Sequence, residues 1–348
     1  MLTIGKELYY NNIVCWQRLH CVVEEDFCHR SSKSAKIVKI KHVVKGVKIT
    51  MPKYYVLFNP ICCNGKGKER TKRLNSFQFD GELEFLDITT IQSYSDFFNS
   101  LDAEDSIIVC GGDGTLNRFV NDTSSIEIKN KILYYACGNG NDFARDIGMA
   151  PGDKPIEING YLKNLPYVIV KGKTYHFIDN VGFGIDGYCT QVGDEMRAAH
   201  KENINYAAIA IKGVLGGFHP VNAEIIVDGK TERFKKVWLA PTMKGRFYGG
   251  GMMPTPRQDR LDPEEKLSVM VFHGKGKLKT LALFPTIFQG EHVKHTDVVK
   301  ICTGKDIRVK FDRPTPLQID GETILDVTEY HAMAESVAKN KKTEKVSA

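Results

Sequence analysis

Short apolar runs alternate with stretches of helical spacing from Tyr54 to about residue 150. The runs show little inside–outside alternation, which is typical of strands that are covered on both faces. We predict a strand at each of four runs: YYVLFN (54–59), ELEFLDIT (82–89), SIIVC (106–110) and ILYYAC (132–137). Because helical stretches separate these runs, the pattern predicts a doubly wound, parallel α/β sheet.

From about Leu165 the pattern changes to short strands separated by Gly, Asp and Pro. This spacing predicts an antiparallel β-sandwich with helical insertions around 188–216 and 277–289. The predicted fold class is therefore α/β plus β, with an active site in the cleft between two domains. We assign residues 51–160 to a nucleotide-binding α/β domain and 161–330 to a β-sandwich domain that binds the substrate. Residues 331–348 could pack back against the first domain.

Residues 1–50 differ from the rest of the chain and end in a basic run, KSAKIVKIKHVVKGVKIT. One interpretation is a basic arm that contacts anionic lipid. The other is an extension from a start codon assigned too far upstream, with Met51 as the natural start. We prefer the second, because a buried-strand pattern begins abruptly after this methionine.

Composition narrows the class of protein further. The net charge is +6, and the first fifty residues hold nine Lys and Arg against four Asp and Glu. The remainder is nearly neutral, so charge does not favour a nucleic-acid partner. Nine cysteines, without a disulfide-like spacing or an export signal, predict reduced thiols and a cytoplasmic location.

The segment GGDGTLN (111–117) follows the third predicted strand. Gly111, Gly112 and Gly114 allow a sharp turn and a close backbone approach to a ligand. Thr115, Leu116 and Asn117 open a helix, whose N–H groups and dipole favour an anion, so the segment predicts a phosphate cradle. The negative charge of Asp113 then requires another partner: a metal, a sugar hydroxyl, a neighbouring amide or the helix that it caps.

Polar turns also follow the first and fourth predicted strands. They place Asn59 in NPICCNGKG, and Asn139 and Asp142 in ACGNGNDFARDIG. The carboxyl ends of parallel strands meet at one edge of a sheet, so we expect these side chains to line one crevice. The competing interpretation is structural, because Asn tolerates a left-handed backbone and Asp caps helices.

Six motifs in order cover about Lys53 to Tyr330. They are NPICCNGKG, GGDGTLN, GNGNDFAR, NVGFGID, GGGM and DGE. With them, the chain resembles the diacylglycerol kinase catalytic-domain family, in its bacterial lipid-kinase branch. The resemblance implies an NAD-kinase-like first domain, ATP with Mg²⁺ in the cleft, and a lipid hydroxyl as acceptor. It also implies peripheral contact with a membrane, and the sequence leaves a homodimer open.

The resemblance assigns roles to particular residues. It places Asp320 as the general base, with Glu322 as a residue that positions Asp320 or another group. Without the resemblance, the Asp-Gly pair would indicate a hairpin turn. The implied nucleotide-binding residues are Asn59, Thr89 or Thr90, Gly111, Gly112, Asp113, Gly114, Thr115, Leu116, Asn117, Asn139 and Asp142.

A second, structural Mg²⁺ site of the family falls on PRQDRLDPEEKL (256–267). The resemblance implies Glu264 as its carboxylate and Leu261 and Lys266 as its carbonyl ligands. Glu265 replaces the family's glycine there, and Cys63 replaces another glycine in the first turn. Asp259, Asp262 and Glu264 could form a differently shaped oxygen site, and a solvated acidic loop is the alternative.

Two other functions compete with a lipid kinase. One is a soluble-substrate kinase like NAD kinase, which shares the GGDGT turn, and the other is a non-catalytic nucleotide- or lipid-sensing relative. The apolar stretches 205–218 and 278–288 favour core packing over an acyl channel, because both have helical spacing.

Overall fold

The computed structural model describes residues 51–201, 204–274 and 276–336. The extension 1–50, for which two interpretations stand above, and residues 337–348 lie outside this range. The described chain holds two β-sheets, one mainly parallel and one antiparallel. The predicted fold class, α/β plus β, is confirmed.

The first sheet has the order β2-β1-β3-β4-β5, with β1 to β4 parallel. Its strands are β1 (Lys53–Phe58), β2 (Glu82–Asp87), β3 (Ser106–Gly111), β4 (Lys131–Ala136) and β5 (Ile156–Glu157). The four predicted strands are present, whereas the short antiparallel β5 was not predicted. Alternate residues of β3 feed separate hydrophobic clusters: Ile107 and Val109 lie in one, Ile108 and Cys110 in the other. Both faces are thus buried, which explains the lack of alternation.

Short helices connect these strands. They are α1 (Cys62–Gly65), α2 (Gly67–Thr71), α3 (Tyr94–Asn99), α4 (Asp113–Thr123) and α5 (Asp142–Asp146), with 3₁₀ turns at Lys72–Ser76 and Ile88–Thr90. The basic stretch after β1, predicted as one helix, is instead divided between α2 and the first 3₁₀ turn. The hydroxyls of Thr71 and Ser76 bond to carbonyls three residues back, and such side chains compete with regular helix hydrogen bonds.

The second sheet has ten antiparallel strands. They are β6 (Tyr167–Val170), β7 (Lys173–His176), β8 (Asn180–Gly184), β9 (Val221–Val227), β10 (Lys230–Val237), β11 (Leu239–Met243), β12 (Leu267–Phe272), β13 (Val299–Gly304), β14 (Asp306–Ile319) and β15 (Glu322–Met333). The first part of β14 pairs with β9 and its last part with β8, with register shifts between Lys310 and Leu317. Such shifts bend a strand, so one sheet can close over a common core. β15 keeps residues 331–333 in this sheet.

Helices interrupt the second sheet at the two predicted places. They are α6 (Ile185–Ala198), α7 (Tyr206–Lys212) with a π turn at Gly213–Gly217, and α8 (Lys277–Leu283) with 3₁₀ turns at Phe284–Gln289 and Glu291–Lys294. Their buried side chains form a further hydrophobic cluster with β11 and β12. Within the described ranges, none of the helices has the length and apolar character needed to cross a bilayer.

Candidate active site

Three turns meet at the carboxyl ends of β1, β3 and β4. A Cβ added to Gly138 would lie 2.3 Å from the Cα of Gly112, so the second and third turns touch through backbone. Arg70, from the helix after the first turn, donates from Nη1 to the carbonyls of Cys137 (2.8 Å) and Gly138 (3.2 Å). The predicted convergence of these turns is therefore observed in the described structure.

The partner of Asp113 is a pair of backbone amides. Its Oδ2 accepts a hydrogen bond from the N–H of Asp142 and its Oδ1 from that of Phe143, both at 3.0 Å. These amides begin α5, whose own N-cap residue, Asn141, uses its side chain to bond both backbone groups of Gly138. Asp113 therefore caps α5 from the neighbouring turn, as the amide alternative predicts.

Asp142 joins the third turn to the second half of the molecule. Its carboxylate accepts from Arg145 Nη1 at 2.9 Å and from the N–H of Gly250 at 2.7 Å. Burial, and then the charge of Asp113, raise the pKa of Asp142 to about 6. Gly250 has φ +80°, a left-handed conformation that favours glycine and aims its amide at the carboxylate.

Asp320 lies buried at the turn between β14 and β15. Its Oδ1 accepts from the amides of Asp179 (2.9 Å) and Asn180 (2.8 Å), and its Oδ2 accepts from the amide of Ile178 and Nδ2 of Asn117, both at 2.6 Å. Burial raises the pKa of Asp320 to about 6, although these four hydrogen bonds act in the opposite direction. Asp320 is thus both a hairpin-turn residue and a buried carboxylate at the site.

Asn117 connects the glycine turn to Asp320. It lies on α4, one turn after Asp113, and its side chain is 7% exposed. Besides Asp320, Nδ2 reaches the carbonyl of His176 at 3.2 Å. The phosphate cradle predicted from sequence and the predicted base are therefore joined by one side chain.

Other predicted residues lie around this centre. Asn59 Oδ1 accepts from the N–H of Ile61 at 3.1 Å and holds the first turn. Thr89 donates from its N–H and hydroxyl to Asp87 Oδ1, at 2.9 and 2.7 Å, at the exposed end of β2. Asn139 is exposed at the third turn, and Glu322 is exposed at the start of β15.

A buried ion network, which was not predicted, joins the two halves behind the site. Arg260 donates from Nε to Asp146 Oδ2 at 2.8 Å and from Nη2 to Asp179 Oδ1 at 2.5 Å. Arg246 bonds the other oxygen of Asp146 at 2.8 Å. The sequence held one usable signal for this network. Asp146, the second acid of NDFARD, lies four residues after Asp142 and hence on the same face of a helix.

The proposed structural metal site is not formed by the side chains as they lie. Glu264 pairs with Lys266 Nζ at 2.8 Å, and the Lys266 carbonyl accepts from Gln258 Nε2 at 2.8 Å. Glu265 takes the left-handed backbone of the missing glycine, φ +58°, and its carboxylate accepts from the N–H of Ser336. Among the described residues, no three His, Cys, Asp or Glu side chains gather as metal ligands. In this arrangement, the Glu264 carboxylate and the Lys266 carbonyl are each already bonded to another protein group.

Fold and site together define a two-sheet protein in which a glycine-rich turn and a buried carboxylate are joined by the Asn117 side chain. A family model described as "Diacylglycerol kinase catalytic domain" matches residues 53–165. A second, described as "YegS C-terminal NAD kinase beta sandwich-like domain", matches residues 179–335. The chain belongs to the bacterial diacylglycerol kinase-like family.

Relatives span most of the described chain. A protein of Mycobacterium tuberculosis named diacylglycerol kinase is 28% identical over 214 residues, which are 59% of this chain and 67% of that protein. A Bacillus subtilis protein, provisionally named lipid kinase YtlR, is 26% identical over 78% of this chain and 94% of its own length. A crystal structure from Bacillus anthracis, provisionally named a diacylglycerol kinase, has a TM-score of 0.57 at 18% identity, covering 84% of this chain and 96% of that one. The last likeness concerns the fold alone.

Proposed function

We propose that this protein is an ATP-dependent lipid kinase. It transfers the γ-phosphoryl group of ATP to the hydroxyl of diacylglycerol or a related lipid, giving phosphatidate or an analogous phospholipid. The observation that carries the proposal is the direct hydrogen bond between Asn117, on the helix of the glycine turn, and the buried Asp320. The family and the names of the relatives support the same activity.

In this proposal, the phosphates of ATP bind at the start of α4. A Cβ added to Gly114 would have no neighbour within 4 Å, so this turn has open space beside it. The N–H groups and dipole of an eleven-residue helix favour an anion at that end. Asn59, Thr89 and Asn139 are proposed to contact the nucleotide, while Asp113 and Asp142 hold the turns in place through backbone amides. Mg²⁺ would enter with the nucleotide, because no three His, Cys, Asp or Glu side chains of the described residues gather to hold it.

Asp320 is proposed to accept the proton of the lipid hydroxyl. The hydroxyl oxygen then bonds to the γ-phosphorus, the bond from that phosphorus to the ADP oxygen breaks, and the proton goes to Oδ2. Because four hydrogen bonds already occupy this carboxylate, one of its donors has to move before a lipid hydroxyl can reach it. The Asn117 amide is the side-chain donor among them, so its rotation would expose Oδ2. Glu322, exposed two residues later, is proposed to position the acceptor.

The lipid is proposed to approach over α7 and α8. Leu215 and Leu278 have 53% and 82% of their surfaces exposed, above the buried cluster of this layer. They belong to adjacent segments, because Lys277 Nζ donates to the Leu215 carbonyl at 2.6 Å. Exposed apolar side chains beside a lysine suit a membrane surface.

Replacing both exposed leucines tests this approach. We expect Leu215→Ser with Leu278→Ser to raise the lipid concentration needed for half-maximal activity in mixed micelles. The KM for ATP should stay unchanged, because neither side chain belongs to the glycine turns. A matched double variant with Leu261→Ser and Leu325→Ser removes exposed leucines elsewhere on the described surface. An equal effect in both proteins would contradict the approach.

ATP consumption with and without added lipid tests the activity itself. A lipid kinase consumes ATP only when a hydroxyl lipid is present in the micelles. Consumption that depends on NAD, and not on lipid, would establish the soluble kinase. ATP binding without consumption under every condition would establish a sensor. The GNGNDFAR and DGE segments favour the lipid reaction over both.

A further inference from the structure

Three cysteines that the reaction does not use meet at the first and third turns. Cys62 and Cys63 begin α1, three and four residues after Asn59, and Cys137 follows β4. The sulfurs of Cys62 and Cys63 are 3.4 Å apart, and Cys63 Sγ is 2.6 Å from the Cys137 carbonyl oxygen. The Cys137 side chain is among the groups that act to lower the pKa of both other thiols. We name Cys62, Cys63 and Cys137 the thiol cluster.

The backbone places Cys63 in this cluster. Its φ of +57° is the left-handed conformation that favours glycine, and it directs the side chain toward the third turn. Arg70 donates to the same Cys137 carbonyl at 2.8 Å, so a guanidinium borders the sulfurs. A half-buried thiol beside a cation and other thiols differs from Cys189, which is buried in the apolar layer of α6.

The neighbours of Cys63 favour its thiolate. Hydrogen bonds from the thiols of Cys137 and then Cys62, together with the charge of Arg70, hold the pKa of Cys63 well below its usual range. The Cys137 carbonyl opposes this shift, because it accepts a hydrogen bond only from the protonated thiol. Burial raises the pKa of Cys302, which lies on β13 away from the cluster. The thiolate is the form that reacts with peroxides.

We propose that Cys63 and Cys137 form a peroxide-sensitive pair that closes a disulfide between the first and third turns. The Cys63 thiolate attacks one oxygen of hydrogen peroxide, the O–O bond breaks, and a sulfenic acid and hydroxide form. The hydroxide takes the Cys137 proton, that sulfur attacks the sulfenic sulfur, and the S–O bond breaks. The departing hydroxide takes up the proton that Cys63 released on ionising, so two thiols and one peroxide give one disulfide and two waters.

Cys137 is a better partner than Cys62 for geometric reasons. The Cα atoms of adjacent residues are about 3.8 Å apart. Unstrained disulfides join Cα atoms separated by about 4.4–6.8 Å. A bond to Cys137 instead crosses between two turns that already touch at the Cys63 sulfur. It would move the turn that holds Asn59, so oxidation would weaken ATP binding; this consequence rests on the proposed function.

Peptide mapping of the full-length protein tests the pair. The reduced protein is treated with graded hydrogen peroxide, remaining thiols are blocked with iodoacetamide, and the peptides are weighed. We expect a Cys63–Cys137 linked peptide, lighter by two hydrogens than its parts and released by dithiothreitol. Cys63→Ser and Cys137→Ser should each abolish it, whereas Cys302→Ser, the matched control, should not. A Cys62–Cys63 bond, or no link between the two turns, would overturn the proposal.

ATP binding to reduced and oxidised protein separates this proposal from the proposed function. We expect the unaltered protein to lose most of its ATP affinity on oxidation. The Cys137→Ser variant should keep its ATP affinity after the same peroxide treatment. A linked peptide in a protein that binds no ATP even when reduced would leave the thiol pair standing and refute the nucleotide site. ATP binding without any linked peptide would refute the thiol pair alone.

Discussion

Three aspartates of the site have different roles because their surroundings differ. Asp113 gives both oxygens to backbone amides and caps a helix. Asp142 is buried between an arginine and the amide of Gly250, and so joins two segments distant in sequence. Asp320 takes four hydrogen bonds at the end of a hairpin, and burial still raises its pKa to about 6. A carboxylate with this pKa is ionised at neutral pH and can accept a proton.

The pKa of Asp320 predicts how activity depends on pH. The base must be deprotonated, so kcat/KM for lipid should fall as pH drops through about 6. Folding stability changes in the opposite sense: the folded pKa exceeds the ordinary 3.8, so this group's contribution is lost as pH rises through about 6. Asp142 titrates in the same range, so ATP binding is measured over the same pH values to distinguish its effect on the nucleotide turn from the effect of Asp320 on the rate. A rate that stays flat down to about pH 5 would exclude Asp320 as the base.

Among the elements, α4 links the parts of the site. Its first residue caps α5, its first turn faces the open space beside Gly114, and Asn117 reaches Asp320. One turn later, Asn121 exchanges hydrogen bonds with the backbone of His176 at 2.8 and 3.0 Å, which fixes the helix on β7. Movement of this helix would therefore displace the nucleotide turn and the base together.

Removing the Asp113 carboxylate tests this linkage. We expect Asp113→Ala to lower the free energy of unfolding by about 1 kcal/mol, the usual effect of losing a helix cap. It should also weaken ATP binding, because the third turn loses its attachment to the second. Asp122→Ala, on the exposed side of the same helix, is the matched control. Urea unfolding gives the energies, and equal losses in the two variants would refute the capping role.

At the scale of the molecule, buried charge joins the two halves. Arg260 lies between Asp146 of the first half and Asp179 of the second, with its guanidinium 4.7 Å from the centre of the Phe143 ring. The side chains of Arg260 and both aspartates are at most 5% exposed. Asp179 also supplies one of the amides that hold Asp320. The network therefore couples the contact between the halves to the position of the base.

Replacing Arg260 should disrupt this contact. Arg260→Met leaves two buried carboxylates without their shared partner, and we expect a loss of about 3–5 kcal/mol in the free energy of unfolding. The neighbouring exposed Arg257→Met controls for the loss of positive charge. Chemical denaturation of both variants measures the difference. Equal stability of the two would show that the network does not hold the halves together.

The hydrophobic pattern predicted the strands of the first sheet and the position of the polar turns, because both depend on local sequence. It also located the helical insertions of the second half. It did not reveal the Asp113 cap or the Arg260 network, since each joins residues that are far apart in the chain. The sequence also did not reveal the backbone conformation of Cys63 and Glu265, which stand where the family has glycine. Both have a left-handed backbone without being glycine, which is uncommon and is not readable from the residue type.

The most direct measurement is transfer of labelled γ-phosphate from ATP to a panel of hydroxyl lipids in mixed micelles containing Mg²⁺. The full-length protein is compared with Asp320→Asn, and with Asp326→Asn as a control that shares the left-handed backbone on the same hairpin. We predict labelled phosphatidate or an analogous phospholipid from the unaltered protein and the control. Asp320→Asn should remain folded and bind ATP but transfer no label. Label on no lipid, from folded protein that binds ATP, would contradict the account.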